Sequence, residues 1–95
     1  MANIRPKFAT NAERYSIMRF MIKVMRKKAR LTQMELAQKI KRPQSYFSKI
    51  ETGERDIDLV KLDILCTACR TTLSSFVREY KKITGGMPAW SNTTG

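Results

Sequence analysis

The chain has 95 residues, of which 42% are hydrophobic, and its 19 lysines and arginines outnumber 8 acidic residues to give a net charge of +11. This length allows one small domain with one modest hydrophobic core. No apolar run is long enough to span a membrane and the N-terminus lacks a signal-peptide pattern, so we expect a cytoplasmic protein with no membrane partner.

Most of the positive charge lies at the N-terminal end. Residues 1–31 contain nine basic residues and one acid, and within them residues 1–10 form a predicted basic arm. A basic lobe favours polyanions such as nucleic acid, because their condensed counterions are released on binding. Taken alone, the same charge fits a merely solvated surface.

Thr10 or Asn11 caps the first predicted helix, which covers approximately residues 12–29. A spacing of 100° per residue gives this helix one apolar stripe at Met18, Ile22, Met25 and Ala29, and a second at Ile17, Phe20, Met21 and Val24. A surface helix of a small domain needs one such stripe. The second must contact the N-terminal arm, a C-terminal helix or another subunit.

Two short helices follow. Thr32 caps the first, whose apolar positions recur at i, i+4 from Leu36. Pro43 ends the pattern, because proline lacks an N–H and disfavours helix in the preceding residue. The second helix spans residues 44–51 and ends at Gly53. Two helices joined by a tight turn, the second with a polar outer face, are typical of a helix-turn-helix that reads DNA.

Two further helices are predicted towards the C-terminus. Asp58 caps a helix over residues 59–69, and Thr72 opens another over residues 73–83. Their apolar positions are Leu62, Leu65, Cys66 and Cys69 in the first and Phe76, Val77, Tyr80 and Ile83 in the second. A glycine pair then begins a predicted flexible tail, residues 85–95. No segment shows the alternation of a strand.

The helix-turn-helix segment resembles the phage-repressor-like (Xre) family. The resemblance rests on Leu31–Gln33, Glu35–Ala37 and the run from Gln44 to Gly53, and it covers approximately residues 22–76 without a gap. It implies an all-α fold of five helices over residues 11–84. It also implies a sequence-specific regulator of transcription, expected to be a repressor that binds an inverted-repeat operator in double-stranded DNA as a dimer.

The outer face of the third helix is the expected DNA contact. Glutamine, lysine and serine side chains there suit base edges in the major groove, although the same face could simply be solvated. The resemblance places Gln33 on a phosphate, with an exposed capping role as the alternative. Tyr46 would meet a thymine methyl or a phosphate. The complete set of predicted contacts is Gln33, Gln44, Ser45, Tyr46, Ser48, Lys49 and Arg55.

Other residues in the resemblance concern the architecture. Arg26 and Glu51 stand where the family pairs an arginine with a glutamate to fix the third helix on the first; a phosphate contact is the alternative for Arg26. Lys41 and Arg70 replace glycines, so Lys41 is expected to need a left-handed backbone. Arg42 replaces an apolar residue.

Cys66 and Cys69 form a C-x-x-C motif. A zinc site needs four ligands, and the chain has no histidine and no second cysteine pair. We therefore expect core positions, no metal and no cofactor. No catalytic constellation is present, so we do not expect an enzyme.

The surplus apolar surface of the first and fifth helices predicts a homodimer. The interface residues expected are Phe20, Val24, Phe76 and Tyr80. The alternative is that the arm or the fifth helix covers the first helix within one chain. A rival function is that of an antitoxin, which would bind a protein toxin through the second apolar stripe of the first helix and the C-terminal tail, and would keep the DNA-binding domain.

Overall fold

The computed structural model describes residues 9–85. Five helices occupy this part of the chain, and it contains no strand: α1 (Asn11–Lys28), α2 (Gln33–Lys39), α3 (Gln44–Thr52), α4 (Leu59–Ala68) and α5 (Leu73–Thr84). The prediction of an all-α fold with five helices is confirmed, and the boundaries predicted for α1, α3, α4 and α5 each lie within one residue of the observed ones.

Side-chain caps explain where four of these helices begin. Before α2, the Thr32 hydroxyl accepts a hydrogen bond from the Glu35 N–H at 3.1 Å, and the Glu35 carboxylate accepts from the Thr32 N–H at 2.8 Å. This reciprocal capping box satisfies two N–H groups that the helix itself leaves free. The capping residues of α1, α2, α4 and α5 are Thr10, Thr32, Asp58 and Thr72.

The five helices surround one core. In their main contacts, α1 packs on α3 and α5, α3 on α2, α2 on α4, and α4 on α5. The order around the core is therefore α1, α3, α2, α4, α5. The buried apolar residues are Met21, Ile22, Ala29, Leu36, Ala37, Phe47, Ile50, Leu62, Leu65, Cys66, Cys69 and Phe76.

Helix α5 covers part of the second apolar stripe of α1. Met21 and Phe76 are 8% and 6% exposed, so both belong to the core of one chain. The Phe76 ring therefore helps to hold α5 on the other helices within one chain, which leaves little of it for the predicted dimer interface. Val24 and Tyr80 are half-buried, whereas Phe20 remains 65% exposed.

Three helices end at a basic residue with left-handed backbone. The φ angles of Arg30, Lys41 and Arg70 are 62°, 59° and 61°. After α2, for example, the Arg42 N–H donates to the Ala37 carbonyl at 2.9 Å, which is the bond that closes a Schellman motif. The predicted left-handed conformation of Lys41 is confirmed, and it costs roughly 1–2 kcal/mol at each non-glycine residue.

The beginning of α1 is tied to the end of α5. The Ala9 N–H donates to the Thr84 carbonyl at 3.0 Å, and the Ala9 carbonyl accepts from Arg14 Nε at 3.1 Å. Thr84 is 1% exposed. Nearly all of the predicted arm and the predicted tail lie outside the described residues.

Candidate nucleic-acid interface

Helix α3 has one buried side and one side in solvent. Phe47 and Ile50 are 0% and 1% exposed and anchor the helix in the core. Gln44, Ser45 and Lys49 are exposed. Polar groups able to donate and accept hydrogen bonds therefore project together from a helix whose orientation is fixed by its opposite side.

Two glutamines connect the first turns of α2 and α3. Gln44 Nε2 lies 3.5 Å from Gln33 Oε1, and Gln33 Nε2 donates to Glu51 Oε1 at 2.8 Å. An amide nitrogen carries two N–H donors. Gln33 therefore keeps one N–H for a further acceptor while its other groups hold Gln44 and Glu51.

An ion pair fixes α3 on α1. Arg26 Nε donates to Glu51 Oε2 at 2.8 Å, and Arg26 Nη2 donates to Oε1 at 3.3 Å. The two side chains are 9% and 6% exposed. Arg26 Nη1 also donates to the Leu31 carbonyl at 2.9 Å, and its guanidinium lies 5.9 Å from the centre of the Phe47 ring. The structure thus brings together the pair that the resemblance implied.

Tyr46 is flanked by two arginines. The guanidinium carbons of Arg42 and Arg55 lie 5.3 Å and 4.8 Å from the centre of its half-buried ring. Contacts of this kind between a cation and an aromatic face are attractive. The Arg55 N–H also donates to the Lys49 carbonyl at 3.1 Å. The ring therefore holds two exposed cations beside α3.

Arg42 was not among the predicted DNA contacts. Arg42 and Tyr46 are four residues apart, a spacing that brings side chains together within a helix. However, Arg42 precedes α3, which begins at Gln44, so the spacing alone does not predict their contact. Ser48, by contrast, was assigned by position and is half-buried. It lies on the side of α3 between the core and the exposed polar face.

A basic residue of α1 lies beside the end of α3. Gly53, which ends α3 with φ of 89°, has the Arg19 side chain so close that an added Cβ would lie 3.1 Å from its guanidinium. The Arg19 Nη2 group donates to Ser16 at 3.3 Å. The positive charge of α1 thus reaches the edge of the candidate interface.

Comparison with known proteins identifies this arrangement. A family model described as a helix-turn-helix domain matches residues 21–75, more than half of the chain. Among solved structures, an XRE-family like protein from Pseudomonas syringae pv. tomato str. DC3000 is 30% identical to this chain. The matched region covers 77% of this chain and 89% of that protein, with a TM-score of 0.73. The chain belongs to the Xre-like helix-turn-helix family.

Another structure shows the same fold at lower identity. The clp gene regulator ClgR from C. glutamicum is 18% identical to this chain. The match has a TM-score of 0.65 and covers 75% of this chain and 91% of the ClgR chain. No curated protein sequence matches the chain significantly. The predicted Xre resemblance is confirmed, and the protein is a DNA-binding regulator of transcription.

The two cysteines of the Xre-like protein are core residues. Cys66 and Cys69 are free thiols, 0% and 6% exposed. Burial is the main cause that raises the pKa of the Cys66 thiol to about 11, so this thiol is protonated at neutral pH. Residues 9–85 contain no cluster of three or more potential metal ligands.

None of the helices in the described part of this Xre-like chain is both long and apolar enough to cross a membrane.

Proposed function

We propose that this Xre-like regulator binds a specific double-stranded DNA sequence by placing α3 in the major groove. The main support is that Gln44, Ser45 and Lys49 lie together on the exposed side of α3, while the opposite side of this helix is anchored in the core. Glutamine pairs with adenine and lysine with guanine through their major-groove edges, and serine suits either. These three residues are the proposed base readers.

The proposed contacts to the DNA backbone surround α3. Gln33 would donate its remaining N–H to a phosphate, and Ser48 and Arg55 would contact phosphates beside it. We add Arg42 to this set, because Tyr46 holds its guanidinium as it holds that of Arg55. Tyr46 then acts mainly by positioning these two cations.

We propose further that the protein is a repressor that binds an inverted repeat as a dimer. A single recognition helix reads only a few base pairs, whereas two half-sites multiply the specificity. Residues 9–85 contain five helices that pack around one core. Occupancy of the operator, and thus exclusion of other proteins from it, is the simplest mode of action for such a domain.

The test is selection of bound sites from a random DNA pool at stated salt, followed by binding measurements with variants. Gln44→Ala and Lys49→Ala should each weaken binding to the selected site by about 1–3 kcal/mol while sparing scrambled DNA. Lys82→Ala on α5 removes the same charge as Lys49→Ala from an exposed position on another helix. Equal losses on selected and scrambled DNA would contradict the assignment of these residues to bases.

A second candidate is an antitoxin that also binds DNA. It is favoured by a groove of about 650 Å³ between α1 and α5, which is lined in part by Phe20 and Ile83. Their side chains are 65% and 50% exposed, which suits a protein partner. Co-expression with the product of the adjacent open reading frame tests it: Phe20→Asp should then abolish the complex without changing DNA affinity.

A further inference from the structure

Helix α4 has large apolar side chains on its exposed side as well as on its buried side. Leu62 and Leu65 face the core at 8% and 2% exposure, whereas Leu59, Val60 and Ile64 are 65%, 67% and 48% exposed. A helix at the surface of a small domain normally has one apolar stripe, which faces the core. We name the exposed group of Leu59, Val60 and Ile64 the α4 patch.

The α4 patch adjoins the recognition helix. Ile64 and the neighbouring Lys61 line a small cavity of about 80 Å³ together with Tyr46 and Ile50 of α3. The patch is therefore continuous with the candidate DNA interface, on the side where α3 leads into α4. A partner bound at the patch would sit next to the DNA contacts.

Charge favours a second copy of this chain at the α4 patch. Residues 54–64 contain four acids and two bases, whereas residues 11–30 contain seven bases and one acid. Two copies of a chain with net charge +11 repel least where their surfaces are least positive, since like charges brought together across an interface are costly. Association through α1 would bring two basic helices together.

The charges around the α4 patch also complement one another under two-fold symmetry. Lys61 lies between Asp58 and Asp63 in sequence, and its ammonium group is 3.7 Å from the Asp58 carboxylate within one chain. In an interface where the same patch occurs on both copies, each lysine can pair with an acid of the other copy. Apolar side chains at the centre and mixed charges at the rim are the usual anatomy of an interface.

We propose that two copies of the protein associate through their α4 patches, an inference that rests on the proposed binding to inverted half-sites. The patch is small beside the total of about 1,200 Å² or more that stable complexes bury. Association is therefore weak in the free protein and takes effect when two copies lie side by side on DNA. A contact beside α3 keeps the two recognition helices near each other, as inverted half-sites require.

The first test measures cooperativity on DNA with the selected site present as a single half-site or as an inverted repeat. The full chain should fill the repeat cooperatively, and Val60→Asp should reduce the cooperativity, measured relative to its own half-site affinity, by about tenfold or more. Phe20→Asp is the matched control, because Phe20 is equally exposed but lies in the α1–α5 groove.

Each outcome of this test is informative. Loss of cooperativity in Phe20→Asp with retention in Val60→Asp would overturn the proposal in favour of α1, and a wild-type chain that binds half-sites independently would also overturn it. Failure of wild type to prefer any half-site would instead contradict the proposed DNA recognition. Circular dichroism checks that each variant folds, and Ile64→Lys replaces Val60→Asp if that variant does not.

A second measurement does not depend on DNA. Val60→Cys introduces an exposed thiol, while the native thiols at Cys66 and Cys69 are buried. Under mild oxidation Val60→Cys should form covalent dimers at least about tenfold faster than Phe20→Cys, because association raises the effective concentration of the paired thiols. Equal rates, or faster crosslinking of Phe20→Cys, would overturn the proposal.

Discussion

Replacing Arg26 by leucine tests how much the buried ion pair contributes to stability. In this variant Glu51, whose side chain is 6% exposed, keeps a hydrogen bond from Gln33 at 2.8 Å but loses its cation. Removing one partner of a buried pair costs about 3–5 kcal/mol. The Gln33 bond favours the lower end of this range, and the lost donor to the Leu31 carbonyl adds about 1 kcal/mol.

We therefore expect Arg26→Leu to lower the free energy of unfolding by about 3–4 kcal/mol, a large part of the roughly 5–15 kcal/mol that stabilises a typical domain. Glu51→Leu should cost a similar amount, because it leaves the guanidinium without its acceptor. The double variant should cost less than the sum of the two single variants by about 2–3 kcal/mol.

Urea denaturation followed by far-ultraviolet circular dichroism gives these energies directly. Lys27→Leu, an exposed change at the next position of α1, is the control and should stay within about 0.5 kcal/mol of wild type. If the double variant equals the sum of the singles, the two residues are not coupled. A cost for Arg26→Leu below about 1 kcal/mol would mean that the pair behaves like an exposed salt bridge.

Three other predictions follow from the structure. Lys41→Gly should raise the free energy of unfolding by about 0.5–1 kcal/mol, because it relieves the left-handed strain at some entropic cost; Lys27→Gly, in regular helix, should instead lower it by about 1 kcal/mol. Because burial raises the pKa of the Cys66 thiol from 9.0 to about 11, the free energy of unfolding should fall as the pH rises from about 9 towards 11. Urea titrations at several pH values should show a smaller fall in Cys66→Ala than in wild type. Arg42→Ala should reduce the slope of log affinity against log salt concentration by about 1, with equal weakening on selected and scrambled DNA; an unchanged slope, as in Lys82→Ala, would mean that Arg42 does not contact phosphate.

The parts of the fold that local interactions decide were predictable from the sequence. A threonine or aspartate followed by an apolar helical pattern marks a helix start, and the caps at Thr32, Asp58 and Thr72 all lie where they were predicted. The left-handed Lys41 was predictable because it stands in a turn that normally needs glycine.

The parts that depend on how helices cross were not predictable in this way. The periodicity of α5 put Phe76 and Tyr80 on one apolar face, but only the packing of α5 on α1 and α4 decides that the Phe76 ring is internal. Likewise, no spacing rule predicts that Arg55, in a loop, stacks on Tyr46. Sequence patterns identified the inward side of α4 but did not indicate that Val60 would remain in solvent.

The hydrogen bond between Ala9 and Thr84 means that the polypeptide enters and leaves the folded unit at one place. A short peptide joining residue 85 to residue 9 could therefore close the backbone into a ring, and opening it in an exposed loop would give a circular permutant. Any domain fused before α1 or after α5 would be tethered at that same junction, beside these two helices. The order of the helices along the chain could thus be changed without changing how they pack around the core.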